Sequence, residues 1–424
     1  MLILAKKAQR ANSLCLAISL LLTGGSAGCG AQEGEGTRPP DNQMYNPIGI
    51  AAHPDGRYLF VSNGVFDRLY NASTVIMIDT FAQKIIDEVS LEIDLFSGEL
   101  GLARLCNGSE GESEACRGQL IGAVTSRDQG KVTVFEVLDQ DSVPRLECGQ
   151  GAKRRCASNY VIESGEGELG SDGPFSLSFD QTGAFISHIN SNSLSRWTLL
   201  SSPPYLRKGC SIQLPGASFV TINPRNGVAA ISDRFGNRVY RAAVETSLDG
   251  RCTFTLGEPI NVKYSSLQSE GRGIAYSADG SRLYAVSGAE GVLRIYAVDQ
   301  GDQLLAALPV GQDAQLVRVA GVREGEQRPT GWTHLTSRAE LDRLGEGLVY
   351  VTSLADQLVT VIDPVSLTVI GTIKVGKGPT DIVFMLNEME ELRGYVTLFE
   401  GHAISVLDLQ PGSPQRFTQI GEIK

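Results

Sequence analysis

Short runs of apolar residues alternate with turn residues along this chain, and five stretches repeat the same order of the two. Each stretch has an apolar run rich in small residues, an Asp-Gly type of turn and a second apolar run, and usually a third run that closes with Asp. Clear copies start at residues 47 and 271, and weaker ones at residues 174, 217 and 379. Four short strands per repeat, at a spacing of about 40–55 residues, are typical of the blades of a β-propeller.

The spacing of the copies indicates two further blades. The interval from residue 271 to residue 379 is about twice the interval before it, and the interval from 47 to 174 is also long enough for a second blade. Both intervals contain additional runs rich in Val, Ile, Thr and Tyr, at residues 119–124, 131–137, 347–352, 358–363 and 368–373. Such runs favour short antiparallel strands. The pattern therefore predicts an all-β chain, a seven-bladed β-propeller of four-stranded antiparallel blades, over residues 46–424.

The ends of the repeat region predict how the ring closes. The first blade begins with its own inner strand at Pro47, and the last blade finishes its own outer strand at residues 417–423. We therefore expect no blade to mix strands from the two ends of the chain. Closure would rest on side-chain packing between blades 7 and 1, helped by residues 42–46.

Several of these runs resemble the YVTN family of seven-bladed propellers, which is widespread in bacterial and archaeal cell-envelope proteins. The residues that carry the resemblance are Val349–Ser353, the run from Val361 to Gly376, Pro379, and the stretch from Pro47 to Val61 with Asp79 and Thr80. The resemblance implies the fold, but it specifies no ligand. It also implies kinship with lactonase-like and quinoprotein-like propellers, which are enzymes.

The first 28 residues have the layout of an export signal. A basic start at Lys6, Lys7 and Arg10 precedes an apolar run at residues 14–22, which is too short to span a bilayer as a helix. The next residues, Ser26-Ala27-Gly28-Cys29, resemble the bacterial lipobox, whose Cys is acylated and becomes the mature N-terminus. This resemblance implies lipidation at Cys29.

The signal predicts an exported, membrane-anchored lipoprotein of the bacterial cell envelope, whose contact with the membrane is the lipid anchor. Ser26 stands where the lipobox usually has Leu, so a soluble periplasmic or secreted protein is the alternative. Residues 29–45 contain much Gly, Gln, Glu, Thr and Pro, which predicts a flexible tether.

Six cysteines remain outside the signal and the acylation position: Cys106, Cys116, Cys148, Cys156, Cys210 and Cys252. An even number in an exported protein predicts disulfides, and six cysteines allow 15 pairings. Short loops favour Cys106–Cys116 and Cys148–Cys156, which leaves Cys210–Cys252 by elimination. Cys210, Cys252 and Cys156 each open an apparent outer strand. The chain has no Cys-x-x-Cys spacing, so we predict no metal site.

Charge and motifs narrow the possible functions. Loss of the signal moves the net charge from -11 to -14, and an acidic surface repels nucleic acid, so we expect no nucleic-acid partner. The chain has no Gly-x-Ser-x-Gly, Walker or Gly-x-Gly-x-x-Gly motif, and we predict no catalytic residue and no cofactor.

The histidines, His53, His188, His334 and His402, are interpreted as packed or surface residues. The Asp residues that close third strands, Asp79, Asp299, Asp363 and Asp408, are interpreted as turn formers.

Long connections between the first and second strands cluster in neighbouring blades. They lie at residues 106–117 in blade 2, 322–346 in blade 6 and 387–393 in blade 7, and the second contains a predicted helix capped by Ser337, with Glu340 three residues on. Elaborated loops on a rigid scaffold often bind partners. We therefore predict a non-enzymatic binding or scaffold propeller that recognises a protein or an envelope component through this face. The alternative is a lactonase-like hydrolase with its site at the central channel.

Overall fold

Seven antiparallel sheets follow one another along the chain, which confirms the seven-bladed propeller. The fold is seen in a computed structural model that describes residues 37–87, 89–105, 118–139, 143–149, 154–165, 172–236, 238–246, 251–262, 270–321 and 346–424. Strands are lettered a to d from the channel outward, so that the a–b and c–d connections lie on one face of the ring. The b–c connections and the links between blades lie on the other face.

The first four blades contain the strands β1 to β19. Blade 1 consists of β1 (Pro47–Ala52), β2 (Tyr58–Asn63), β3 (Ser73–Asp79), β4 (Lys84–Ile85) and β5 (Leu91–Ile93). Blade 2 consists of β6 (Ser97–Arg104), β7 (Leu120–Ser126), β8 (Lys131–Leu138), β9 (Arg145–Glu147) and β10 (Val161–Glu163), with a 3-10 helix at Ser158–Tyr160. Blade 3 consists of β11 (Pro174–Phe179), β12 (Gly183–His188), β13 (Ser193–Leu199) and β14 (Leu206–Gln213). Blade 4 consists of β15 (Ala217–Ile222), β16 (Ala229–Asp233), β17 (Arg238–Thr246), β18 (Cys252–Leu256) and β19 (Ile260–Asn261).

The last three blades contain the strands β20 to β31. Blade 5 consists of β20 (Gly271–Tyr276), β21 (Arg282–Ser287), β22 (Val292–Ala297) and β23 (Gln303–Pro309), with a 3-10 helix at Val298–Gln300. Blade 6 consists of β24 (Ala314–Gly321), β25 (Glu346–Ser353), β26 (Leu358–Asp363) and β27 (Thr368–Lys374). Blade 7 consists of β28 (Pro379–Leu386), β29 (Leu392–Leu398), β30 (Ala403–Asp408) and β31 (Thr418–Ile423). In blades 1, 2 and 4 two short segments share the outer position.

A buried hydroxyl near the end of strand b links neighbouring blades. The residues at this position are Ser62, Thr125, Ser187, Ser232, Ser287, Thr352 and Thr397. In five blades the hydroxyl donates to a carbonyl on strand a of the next blade, as in Ser62 to Gly98 at 2.9 Å and Thr352 to Thr380 at 2.9 Å. In these five blades the Ser or Thr near the end of strand b is thus explained by a hydrogen bond between blades.

The ring closes as the sequence predicted, without a shared strand. Blade 1 is built from β1 to β5 and blade 7 from β28 to β31. Apolar side chains of both blades pack together, and Thr397 donates to the carbonyl of Ile48 at 3.3 Å. Asn46 adds a backbone hydrogen bond to Nδ1 of His402 at 3.0 Å and a side-chain one to the carbonyl of Phe399 at 3.2 Å.

Replacing Thr397 with valine should lower the free energy of unfolding by about 2 kcal/mol, because Val keeps the shape but removes a buried hydroxyl that also accepts from the backbone N–H of Asp381 at 2.9 Å. Equilibrium urea unfolding measures this. The matched control is Ser287→Ala at the equivalent position in blade 5, because the Ser287 hydroxyl has no hydrogen-bond partner within the described part of the chain. Equal losses in both variants would contradict a closing role for the Thr397 hydroxyl.

Two predicted disulfides are present. Cys148–Cys156 closes a local loop, and Cys210–Cys252 joins blades 3 and 4 across a sequence separation of 42 residues. The prediction that each of three cysteines opens an outer strand holds for Cys252 alone. Cys210 lies inside β14, and Cys156 lies in the link between β9 and β10. Cys29, Cys106 and Cys116 lie outside the described residues.

The observed strands confirm that the long connections join strand a to strand b in blades 2, 6 and 7. The connection in blade 7 spans residues 387–391, shorter than predicted because β29 begins at Leu392. Residues 106–117 and 322–345, including the predicted helix at Ser337 and Glu340, lie outside the described residues.

Part of the predicted tether is in contact with the ring: Asn71 donates its backbone N–H to the carbonyl of Thr37 at 3.1 Å, and the guanidinium of Arg154 lies 2.8 Å from the carboxylate of Asp41.

Candidate functional site

Strand a of every blade carries a β-bulge near its start, where the pairing with strand b shifts register. A bulge redirects side chains locally. The bulged third positions are Gly49, Glu99, Ser176, Phe219, Gly273, Leu316 and Asp381. The sequence thus places two carboxylates, from blades 2 and 7, at the same level of the central channel.

Arg318 of blade 6 bridges these two carboxylates. Its Nε and Nη2 lie 2.9 Å from the two oxygens of Asp381, and Nη2 also lies 3.2 Å from Oε1 of Glu99. The second oxygen of Glu99 accepts from the hydroxyl of Ser176 and from the backbone N–H of Leu177 at 3.0 Å. Four blades therefore meet in one ionic network, which we call the channel bridge.

The channel bridge combines deep burial with access from the channel. Burial raises the pKa of Glu99 above its usual value, and Arg318 opposes this only in part. Burial alone would lower the pKa of Arg318, but Asp381 and Glu99 raise it, so the guanidinium stays charged. A third of the Arg318 side chain is exposed, whereas Asp381 is 2% exposed.

Seven equivalent hydrogen bonds surround one end of the channel. In each blade the residue after strand b donates its backbone N–H to the carbonyl of the residue before strand a. The donors are Gly64, Arg127, Ile189, Arg234, Gly288, Leu354 and Phe399, and the acceptors are Asn46, Phe96, Gly173, Gly216, Glu270, Asp313 and Gly378. We call this end of the channel the b–c mouth.

Three arginines lie at the b–c mouth. Arg127 and Arg234 hold the same position in blades 2 and 4, and Arg272 is the second residue of β20 in blade 5. Nη2 of Arg272 lies 2.5 Å from Glu270, and Nη2 of Arg234 lies 3.7 Å from the same oxygen. Asp313 lies 3.9 Å from Arg272. Three arginines thus lie at the described part of the mouth, although the protein as a whole is acidic.

Aromatic rings occupy the side of the mouth formed by blades 7, 1 and 2. The ring of Phe66 lies 5.0 Å from that of Phe96 and 5.3 Å from that of Phe399, centre to centre. The guanidinium of Arg127 lies 5.7 Å from the centre of the Phe66 ring. An apolar wall thus borders Arg127 directly.

The described histidines are packed or lie at the surface, as predicted. His53 is buried between Asp55 at 2.8 Å and Asp139 at 3.1 Å, and His402 accepts from Asn46. None of these contacts involves the channel bridge or the arginines of the b–c mouth. His334 lies outside the described residues.

A Ser-His-Asp row in blade 3 was not predicted from the sequence. Nε2 of His188 lies 2.6 Å from the Ser195 hydroxyl, and Nδ1 lies 3.1 Å from Asp172. Burial alone would raise the pKa of Asp172, but its contact with His188 lowers it. Ser195 is fully buried and also accepts from Nε1 of Trp197 at 2.7 Å. The row therefore packs the blade, because no substrate can reach the hydroxyl.

Most of the Asp residues predicted as turn formers act in that way. The Asp79 carboxylate accepts from the backbone N–H of Phe81 at 2.9 Å. The carboxylates of Asp363 and Asp408 likewise accept from the backbone N–H of the residue two positions later. Asp299 is different, because it lies in the 3-10 helix of blade 5 and pairs with Arg225 of blade 4 at 2.7 Å.

Among the described residues no group of three or more His, Cys, Asp or Glu side chains could hold a metal ion. No helix in the same residues is long and apolar enough to cross a membrane.

No family model matches the chain, and no curated protein matches it. Its fold is similar to that of Kuenenia stuttgartiensis hydrazine synthase, with TM-score 0.54, 14% identity, and coverage of 89% of this chain and 99% of that one. A putative 6-phosphogluconolactonase from Bacteroides fragilis gives TM-score 0.54 and 15% identity over 79% of this chain and 86% of that one. The periplasmic gluconolactonase of Pseudomonas aeruginosa gives TM-score 0.52 and 16% identity over 83% of this chain and 88% of that one. At these identities the similarity shows the fold alone.

Proposed function

We propose that this protein is a non-enzymatic, exported binding propeller that holds a ligand at the b–c mouth. The observation that supports the proposal is the convergence of Arg127, Arg234 and Arg272, from three blades, beside an aromatic wall. A concave, largely apolar surface with a few convergent polar groups is the usual form of a ligand site. His53 lies on the opposite face, where it contacts Asp55 and Asp139.

Native mass spectrometry tests this proposal. The full-length protein, extracted gently from envelopes of cells that express it, should carry a noncovalent small-molecule adduct. The double variant Arg127→Gln/Arg234→Gln should lose the adduct, whereas Arg225→Gln on the opposite face should keep it. Absence of an adduct from the wild-type protein, or its retention in the double variant, would contradict the proposal.

A second candidate function is lactonase-like hydrolysis in the channel. The observation that favours it is the position of Glu99, 3.2 Å from Arg318 in the channel bridge: burial raises the pKa of Glu99, which favours general acid catalysis, and the guanidinium could polarise a carbonyl. Assays with glucono-δ-lactone separate the two functions. Turnover by the wild-type protein that Glu99→Gln abolishes would establish the hydrolase.

Anchoring through Cys29 is part of the proposal, and the disulfides agree with an oxidising compartment. We expect the wild-type protein to partition into the detergent phase and Cys29→Ala to partition into the aqueous phase, because two or more acyl chains anchor a protein stably. Aqueous partition of both proteins would instead favour the soluble exported form.

The long a–b connections are proposed as a second surface, which would contact a protein or an envelope component. Crosslinking in intact envelopes tests it, by comparing the full chain with a variant in which residues 323–344 are replaced by a short Gly-Ser turn. Identical crosslinked partners for both proteins would contradict a role for the blade 6 connection.

A further inference from the structure

The charges of the described residues at the b–c mouth are not balanced. Glu270 lies between Arg234 and Arg272, and Asp313 lies 3.9 Å from Arg272. Arg127 makes no ion pair with any described residue: its guanidinium lies over the Phe66 ring, and Asp128, which lies 3.7 Å from Arg68, attracts it from a longer distance. Four described arginines, counting Arg68, therefore face three carboxylates.

Burial makes this imbalance costly. The side chains of Arg234 and Arg272 are 22% and 17% exposed, so little water solvates their charges. Burial lowers the pKa of Arg127 and of Arg234, and Arg272 lowers that of Arg234 further. Burial also raises the pKa of Asp313. A bound anion would relieve the repulsion among the arginines.

Arginine is suited to a particular kind of anion. Its planar guanidinium donates two parallel hydrogen bonds to a carboxylate, phosphate or sulfate group. Because Arg127 lies over Phe66, the anionic group of such a ligand would stand beside the wall formed by Phe66, Phe96 and Phe399. Aromatic rings bind flat apolar groups through offset or edge-to-face contacts.

We infer that the ligand of the b–c mouth is an organic acid, in which a carboxylate, phosphate or sulfate group is joined to a flat apolar body. The anionic group pairs with Arg127, Arg234 and Arg272, and the apolar body contacts the Phe66 ring. This inference rests on the proposed function, and it adds the chemical class of the ligand.

Titration calorimetry with the full-length protein and three probes tests the inference. 2-Naphthoate carries both features, 2-naphthalenemethanol lacks the charge, and inorganic phosphate lacks the apolar body. We expect 2-naphthoate to bind at least 10-fold more tightly than either of the others, and its affinity to fall as salt is raised. Binding of phosphate or of the neutral alcohol as tightly as naphthoate would overturn the inference, and so would a failure of all three to bind.

Variants locate the site. Arg127→Gln/Arg234→Gln should weaken naphthoate binding at least 10-fold, and Phe66→Leu should weaken naphthoate but not phosphate. The control Arg225→Gln removes the same charge from an exposed ion pair on the opposite face and should leave binding unchanged. Unfolding midpoints show whether each variant is folded, and Arg127→Lys provides a conservative replacement if the double variant is not. An adduct that depends on the mouth in mass spectrometry, without naphthoate binding, would overturn this inference and leave the proposed function standing.

Discussion

Replacing Arg318 with glutamine is expected to lower the free energy of unfolding by about 3 kcal/mol at pH 8. Removal of one partner from a buried ionic network leaves the other charges uncompensated, and the lower end of the usual range applies because the channel reaches Arg318. Urea unfolding measures the loss. Arg225→Gln is the matched control, because the exposed Arg225–Asp299 pair should contribute less than about 1 kcal/mol.

The destabilisation of Arg318→Gln should shrink as the pH falls from 8 to 5. The folded-state pKa of Glu99 is already raised by burial, and loss of the Arg318 charge raises it further. A carboxyl whose folded pKa exceeds its unfolded pKa gains a proton on folding, so the folded state becomes relatively more stable as the pH falls through that value. Adding Glu99→Gln to the variant should restore part of the stability at pH 8. A loss that does not change with pH would show that the channel bridge is not electrostatic.

The second large effect concerns the disulfide between blades 3 and 4. Cys210→Ala/Cys252→Ala should lower the free energy of unfolding by about 4 kcal/mol, because the cross-link restricts a loop of 42 residues in the unfolded chain. The local Cys148–Cys156 bridge, with a separation of 8 residues, should contribute about 2.5 kcal/mol through the same effect.

Reducing agent provides the control for the disulfide prediction. It should lower the stability of the wild-type protein by more than it lowers that of the Cys210/Cys252 double variant, because the variant has already lost one of the bridges. Equal losses, or free thiols at Cys210 and Cys252 in peptide maps of the unreduced wild-type protein, would contradict the prediction.

The strands could be predicted closely because their signals are local. The predicted run at residues 358–363 coincides with β26, and Cys252 opens the outer strand β18 as predicted. Both are β-rich runs bounded by turn residues, and such signals need no knowledge of neighbouring blades. The outer edge of blade 2 was predicted poorly, because two short segments at Arg145–Glu147 and Val161–Glu163 share its position.

The channel bridge could not be predicted in the same way. Glu99, Arg318 and Asp381 are far apart in sequence. They meet because they lie on the inner strands of three blades, and bulges in those strands bring their side chains to similar heights along the channel. The arginines of the b–c mouth did leave a signal. Arg127 and Arg234 each follow the last residue of strand b, so an alignment of the repeats on their strand b ends would have placed them together.

The first described residues reach the ring on the face of the b–c mouth. Thr37 pairs with Tyr70 in the b–c connection of blade 1, and Asn46 enters β1 at the b–c mouth. The long a–b connections leave the ring on the opposite face. A ligand of the mouth would therefore approach beside the N-terminal segment, whereas a partner of the long connections would approach from the other side. The two proposed surfaces could thus be occupied at the same time.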